Sequence, residues 1–281
     1  MIENKIDAHQ HFWIYEAHDY PWIDDQMKKL KQDYQPPQFQ EELIKAGFIG
    51  SVAIQARQKV EETRWLLSLS KQYSFIKAIV GWIDLQSEKI EEHLIEFTGE
   101  SKFAGVRHVI QDEKEIDFML KKEFLRGIDY LQDYGLTYDL LIYPRHLKSA
   151  CQLVQKFPEL KFVVDHLAKP PIKEQTLEPW ATDIKQLAMY DNVYCKLSGM
   201  VTEADWNRWK PIDLTPYMDV ILEAFGPARI MIGSDWPVCL LAGDYQSVIN
   251  PVLKYIKQCS ENEQSKMLSD TCISFYSLNP D

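Results

Sequence analysis

The feature that most constrains the fold of this chain is an alternation of eight short β-branched or aromatic runs with polar or helical text, and no hairpin turn signals between them. The runs are "KIDAHQH" from Lys5, "GSVAIQ" from Gly50, "FIKAIVGWI" from Phe75, "FAGVRHVI" from Phe103, "LTYDLLIY" from Leu136, "KFVVDHL" from Lys161, "NVYCKLS" from Asn192 and "RIMIGSD" from Arg229. The text between them is helical in period. In "EETRWLLSLSKQY", Trp65, Leu66, Leu69 and Tyr73 share a face. A second stripe starts near Lys114, taking in Ile116, Leu120, Phe124, Ile128 and Leu131, and ends at Gly135, where a left-handed cap would close the helix.

Eight strand–helix units in 281 residues match an α/β fold of the (β/α)8 TIM-barrel type. A doubly wound sheet carries fewer strands and a glycine-rich phosphate loop, and no GxGxxG follows any run. With no repeat, low-complexity tract or Gly/Ser linker to divide it, residues 1–281 read as a single domain. The chain is 46% hydrophobic and 26% charged, enough to bury a large core. A net charge of −11 argues against a nucleic-acid partner, because phosphate binding needs a basic face. The N-terminal "MIENKIDAHQ" lacks the apolar core of a signal peptide, and no apolar run approaches the roughly 18 residues that span a bilayer. No membrane partner is expected, and the location reads as cytoplasmic. The five cysteines are odd in number, scattered and never in a CxxC pair, which points to reduced buried thiols. Cys195 and Cys239 have no base beside them and are not read as nucleophiles. A homo-oligomer is left open.

A barrel builds its active site at the C-terminal ends of its strands, and here the text after runs 1, 6, 7 and 8 is long, irregular and aromatic. His9 and His11 sit two apart in run 1, which on a strand puts both on one face roughly 6–7 Å apart. His166 ends run 6 and Asp235 ends run 8. A lone strand-end histidine is commonly a satisfied hydrogen-bonding group, but four such residues meeting on one rim form a candidate site. Three imidazoles and a carboxylate can hold Zn²⁺ tetrahedrally, or leave a position open if Asp235 serves a bound water. Arg107 and Lys196 are the cations placed to orient a substrate, Lys196 sharing its strand face with Tyr194 and Ser198. Tyr138 and Asp139 cannot both face inward; parity does not choose between them, and Tyr138 is carried as the candidate. His108, next to Arg107, is expected to point toward the helices. Arg57 reads equally as a solvated loop residue, and His18, His93 and His146 are assigned no chemistry.

The motifs "DAHQHFW", "IQARQKVEETRWLL", "GVRHVIQDE", "FVVDHLAKP", "CKLSGMVTEADW" and "GSDWP" span nearly the whole chain and resemble the lactonase-like branch of the amidohydrolase superfamily. The resemblance implies a distorted TIM barrel in which Asp235 is the base that activates water. It implies that His9, His11 and His166 polarise the scissile carbonyl, directly or through one divalent metal such as zinc. Strand 4 offers Arg107 and His108, and strand 5 offers Tyr138 and Asp139, in place of the ligands of binuclear relatives, so a two-metal site is not expected. The implied substrate is a small sugar-acid lactone of the L-fuconolactone or L-rhamnonolactone type, or an acidic lactone. Of the loop tryptophans Trp13, Trp22 and Trp236 that could wall its ring, Trp13 and Trp236 lie nearest the candidate ligands in sequence and are the ones expected to do so. Two rival readings are a metal-dependent decarboxylase of an unsaturated or aromatic acid and an inactive barrel kept as a binding protein; the intact quartet of His9, His11, His166 and Asp235 weighs against the latter.

Overall fold

The computed structural model describes residues 4–278. All eight runs form strands: β1 (Lys5–Gln10), β2 (Phe48–Ile54), β3 (Ile76–Gly81), β4 (Phe103–His108), β5 (Thr137–Leu140), β6 (Phe162–Val164), β7 (Val193–Leu197) and β8 (Ile230–Ile232). They pair in parallel in chain order. The intervening helices are α1 (Pro36–Lys45), α2 (Val60–Gln72), α3 (Ile90–Thr98), α4 (Lys122–Asp133), α5 (Leu147–Lys156), α6 (Trp180–Leu187) and α7 (Pro211–Phe225), and α8 (Tyr245–Tyr255) follows β8. This is a (β/α)8 TIM barrel. Residues 1–3 and 279–281, the ends of the expected domain, lie outside the described residues. Among those described, no helix is long and apolar enough to cross a membrane.

One helix starts later than its stripe suggests. The text from Lys114 first makes short 3-10 turns, α4 begins only at Lys122, and Ile116 is 50% exposed. Phe124, Ile128 and Leu131 are buried as the period predicts, and Gly135 follows the helix with φ +68°.

Two apolar layers result. Outward-facing strand residues such as Phe48, Ile79, Val106, Tyr138, Phe162 and Ile232 pack against the helices. The barrel interior is filled by Ile6, Ala8, Val52, Ile54, Ala78, Val80, Val163 and Met231. Cys272, Phe275 and Tyr276, from a short C-terminal helix (Thr271–Tyr276), join that inner cluster and plug it from below.

The barrel closes between β8 and β1 at their C-terminal ends. Asp235 N donates to His9 O at 2.9 Å and His11 N to Trp236 O at 2.7 Å. Below that seam the Asp7 carboxylate stands in for a ladder, accepting from His9 N (3.1 Å), Ser234 N (2.9 Å) and the Tyr245 hydroxyl (2.9 Å). Burial raises the Asp7 carboxyl to about 6 against the pull of these donors. Gly233 permits the close approach: a Cβ there would lie 2.7 Å from the Cβ of His9.

Candidate active site

Backbone irregularities, not strand parity alone, aim the four candidate residues. In simple alternation Ile6 and Ala8 would occupy one face of β1 and Asp7, His9 and His11 the other. Instead the register slips, with Asp7 to Gln10 spanning Ser51 to Ala53. This bulge puts Ile6 and Ala8 in the barrel interior and still turns His9 and His11 inward, while Asp7 reaches the seam. At the end of β6 the chain takes left-handed conformations through His166, Leu167, Ala168 and Lys169, with φ between 53° and 58°. Each costs of order 1 kcal/mol or more for a residue with a Cβ, so the surroundings must hold the turn. Trp180 Nε1 donates to Leu167 O at 2.7 Å, His166 Nδ1 pairs with Ser198 Oγ at 2.9 Å, and Gly199 leaves the ring its room. The consequence is that two successive residues, Asp165 and His166, both serve the site. Asp235 is left-handed as well, with φ 59°.

The quartet meets at one point. His9 Nε2 lies 3.2 Å from His11 Nε2, which lies 3.4 Å from Asp235 Oδ1. His9 Nε2 and His166 Nε2 stand 3.8 and 3.9 Å from the same oxygen. Burial holds the His9 imidazole well below its ordinary pKa, and burial likewise takes His166 down to about 4. Burial would raise Asp235, but His166, His11 and His9 outweigh it and hold the carboxyl well below the usual range. Near neutral pH the Asp235 carboxylate faces the neutral imidazoles of His9 and His166.

These residues fit a single divalent cation. A tetrahedral zinc with bonds of 2.0–2.1 Å separates its ligand atoms by about 3.3 Å, close to the spacings among His9, His11 and Asp235. His11 Nδ1 faces Ile54 O at 2.8 Å, which commits that nitrogen as donor and leaves Nε2 a lone pair. Next to His9 Nδ1, at 3.3 Å, is Asp165 Oδ1, a buried oxygen that also faces Lys196 Nζ at 3.0 Å. A carboxylate behind a ligating imidazole is the usual support of such a site.

Beneath the quartet lies a layer of buried charge that includes two residues expected to touch substrate. Lys196 is fully buried, bonded to Asp139 and 3.0 Å from Asp165 Oδ1. It lies under His9, with Nζ 3.3 Å from Nδ1, and does not line the cavity above. Arg107 does reach the cavity floor, but it is held by Asp165 Oδ2 at 3.0 Å, His9 Nε2 at 3.3 Å and the backbone oxygen of Gln55. Parity along β4 and β5 pairs Arg107 with Asp139 and Val106 with Tyr138, so Asp139 faces inward and Tyr138 faces out, against Phe124 and Phe162. Tyr138 is therefore no substrate contact. Trp13 and Trp236 are also displaced from the expected role: Trp13 packs on Tyr20, Trp22 and Tyr34, Trp236 on Tyr34 and Phe39, and neither lines the cavity. His108 points outward as expected, bonded to Glu113 at 2.8 Å. Asp139 is the alternative that parity leaves open against Tyr138, and Ser198 reads from sequence only as a neighbour of Lys196 on its strand face. Asp165 escaped the sequence reading, although "FVVDHL" carries the signal: once Asp139 faces in, Val163 and Asp165 must follow.

Above the quartet opens a cavity of about 900 Å³, walled by Trp22, Trp206, Tyr143 and four cations. Each cation faces a carboxylate: Arg107 pairs with Asp165, Arg57 and Lys59 with Asp19, and Lys169 with Glu203 at 3.7 Å. Asp19 belongs to the long segment after β1, which is thereby tied to the loop after β2 that carries Arg57 and Lys59. Arg57, read from sequence as a possible solvated residue, is a wall of the cavity, and exposed His18 stands on the rim beside Asp19.

Comparison with known proteins agrees with this geometry. The amidohydrolase family model matches residues 6–278. The L-fucono-1,5-lactonase of Burkholderia multivorans is 38% identical over 98% of this chain and 96% of its own length, and that of Burkholderia ambifaria is 32% identical over the same shares. A crystal structure of an amidohydrolase from Burkholderia multivorans with bound zinc superposes with a TM-score of 0.95 at 38% identity, covering 98% of this chain and 100% of that one. With the barrel, the convergent quartet and full-length relatives in hand, the chain belongs to the amidohydrolase family, in its lactone-hydrolysing branch.

Proposed function

We infer that this enzyme opens a neutral sugar-acid lactone of the L-fuconolactone or L-rhamnonolactone type, with Asp235 as the base. The observation that carries the choice of substrate is the pairing of every cation lining the cavity, among the described residues, with a carboxylate. An acidic lactone, or the aromatic acid of a decarboxylase, needs an uncommitted Arg or Lys to hold its carboxylate. A neutral ring bearing hydroxyls instead finds alternating donors and acceptors, with Trp22 and Trp206 for its C–H face.

In this reading water bonds to the lactone carbonyl carbon while its proton passes to Asp235. The ring C–O bond then breaks, and the protonated Asp235 returns the proton to the departing alkoxide. The net change is one water consumed and one hydroxy acid formed. Asp235 can take that proton because it is held ionised, although a carboxyl kept so far below neutrality is a weak base. His166, neutral and fixed by Ser198, is placed to face the oxyanion. His9, His11 and Asp235 would hold a divalent metal, which when bound supplies Lewis-acid polarisation and a more acidic water. Five unpaired thiols support a cytoplasmic location.

The test is a panel of L-fucono-1,5-lactone, an L-rhamnonolactone, an acidic pyrone lactone and a dihydroxybenzoate, followed by pH indicator with and without chelator. Fastest acid release from a neutral sugar lactone supports the reading. Preference for the acidic lactone, or release of CO₂ from the aromatic acid, overturns it.

A further inference from the structure

His9 has two partners for each of its two neutral forms, the remaining donor, Arg107 Nη1 in one and Lys196 Nζ in the other, then facing a ring N–H. With the proton on Nε2, Lys196 donates to Nδ1 at 3.3 Å and Nε2–H points to His11 Nε2 at 3.2 Å. With the proton on Nδ1, Asp165 Oδ1 is the acceptor at 3.3 Å and Arg107 Nη1 faces Nε2 at 3.3 Å. Few buried imidazoles are this evenly held, since an ammonium only donates and a carboxylate only accepts. The two forms do different things at the quartet. In the first, the His9–His11 contact is itself a hydrogen bond and His9 has no lone pair for a cation. In the second, the lone pairs of His9 and His11 converge beside Asp235 Oδ1, a repulsion that only Arg107 Nη1 offsets until a divalent cation enters.

We propose that His9 is a tautomer switch, set by Lys196 to the Nε2–H form when the quartet is empty and by Asp165 to the Nδ1–H form when a divalent cation is held. Binding moves one proton across the ring through exchange with water, and His9 releases none on balance. Lys196, freed from Nδ1, keeps its bonds to Asp139, which Tyr276 braces from the C-terminal helix at 2.8 Å, and to Asp165. Lys196 and Asp165 are thus positioning residues with opposite signs: the lysine weakens metal binding and the carboxylate strengthens it.

The proposal rests on the reading of the quartet as a cation site and not on the substrate, so it is tested without lactone. Protein labelled with ¹⁵N-histidine, its His9 resonances identified by their loss in His9→Gln, is compared after chelator treatment and after zinc loading. The expected spectra show Nδ1 unprotonated in the chelated protein and protonated in the loaded one. The same tautomer in both, or no zinc binding, overturns the switch. Zinc affinity by competition with a chromogenic chelator gives the second arm. Asp165→Asn is expected to weaken binding about 10–100-fold, and Lys196→Met to tighten it at least about tenfold by removing a buried like charge. Weaker binding in Lys196→Met overturns the assignment of sign. If that variant fails to fold, the wild-type spectra decide alone, and lactone turnover remains an independent check on substrate.

Discussion

Two layers of one barrel, a few ångströms apart, are built on opposite terms. The lower interior is apolar, with Ile6, Ala8, Val52, Ile54, Ala78, Val80, Val163 and Met231 sealed by Phe275 and Tyr276; the register shifts at Ile6, Val52 and Val80, but none of these residues is left-handed. The upper layer holds His9, His11, His166 and Asp235 over Arg107, Lys196, Asp139 and Asp165, all of them buried. Its backbone is irregular where the quartet is delivered, with a bulge before His9 and left-handed residues at His166 and Asp235, while Arg107, Asp139 and Lys196 come from unshifted strand pairs. The comparison teaches that apolar packing is met by extended strand alone, whereas aiming His166 and Asp235 at a common point takes left-handed backbone.

Substitutions in the two layers should separate accordingly. Asp235→Asn is expected to lower kcat for lactone opening by about 10²–10⁴-fold with the fold intact by circular dichroism, the range for loss of a general base. An unchanged rate would erase the distinction between the layers. Phe275→Ala, in the plug, should cost about 3–5 kcal/mol in urea unfolding while leaving kcat per folded molecule unchanged. A loss of kcat there would show that the lower layer also tunes the chemistry.

Titration sharpens the contrast. His166 has its pKa lowered from 6.5 to about 4, so between those values the unfolded chain binds a proton that the folded one refuses. Its contribution to stability is present above pH 6.5 and is lost as pH falls toward 4, on the order of 3 kcal/mol in all. In chelator, urea midpoints of His166→Gln should decline less over that window than those of the parent. An equal decline would assign the acid sensitivity to other groups. The smallest effect is expected at Tyr138→Phe: kcat and KM unchanged, because this ring faces the helices, against Phe124 and Phe162, and away from the quartet.

Much of this was legible without coordinates. The eight runs became eight strands, and the ends of three of them carried the quartet, because hydrophobic period and strand-end position are local properties of the chain. Direction was harder to read. Tyr138 and Asp139 are equivalent on paper, and their choice is settled by the pairing of β4 with β5, a contact between distant segments. Of the three tryptophans weighed for the substrate ring, Trp13 and Trp236 went to packing and Trp22 lines the cavity, joined by Trp206, since loop path and not sequence distance decides which ring meets it.

The sequence by itself determined the architecture and the residue types available at the barrel mouth, through periodicity, length and the placing of His9, His11, His166 and Asp235 at run ends. Tertiary structure alone decided which cations are free and which are spent. Arg107 and Lys196 are drawn beneath His9 by Asp139 and Asp165, because a buried charge must find its counter-charge and those partners come from other strands.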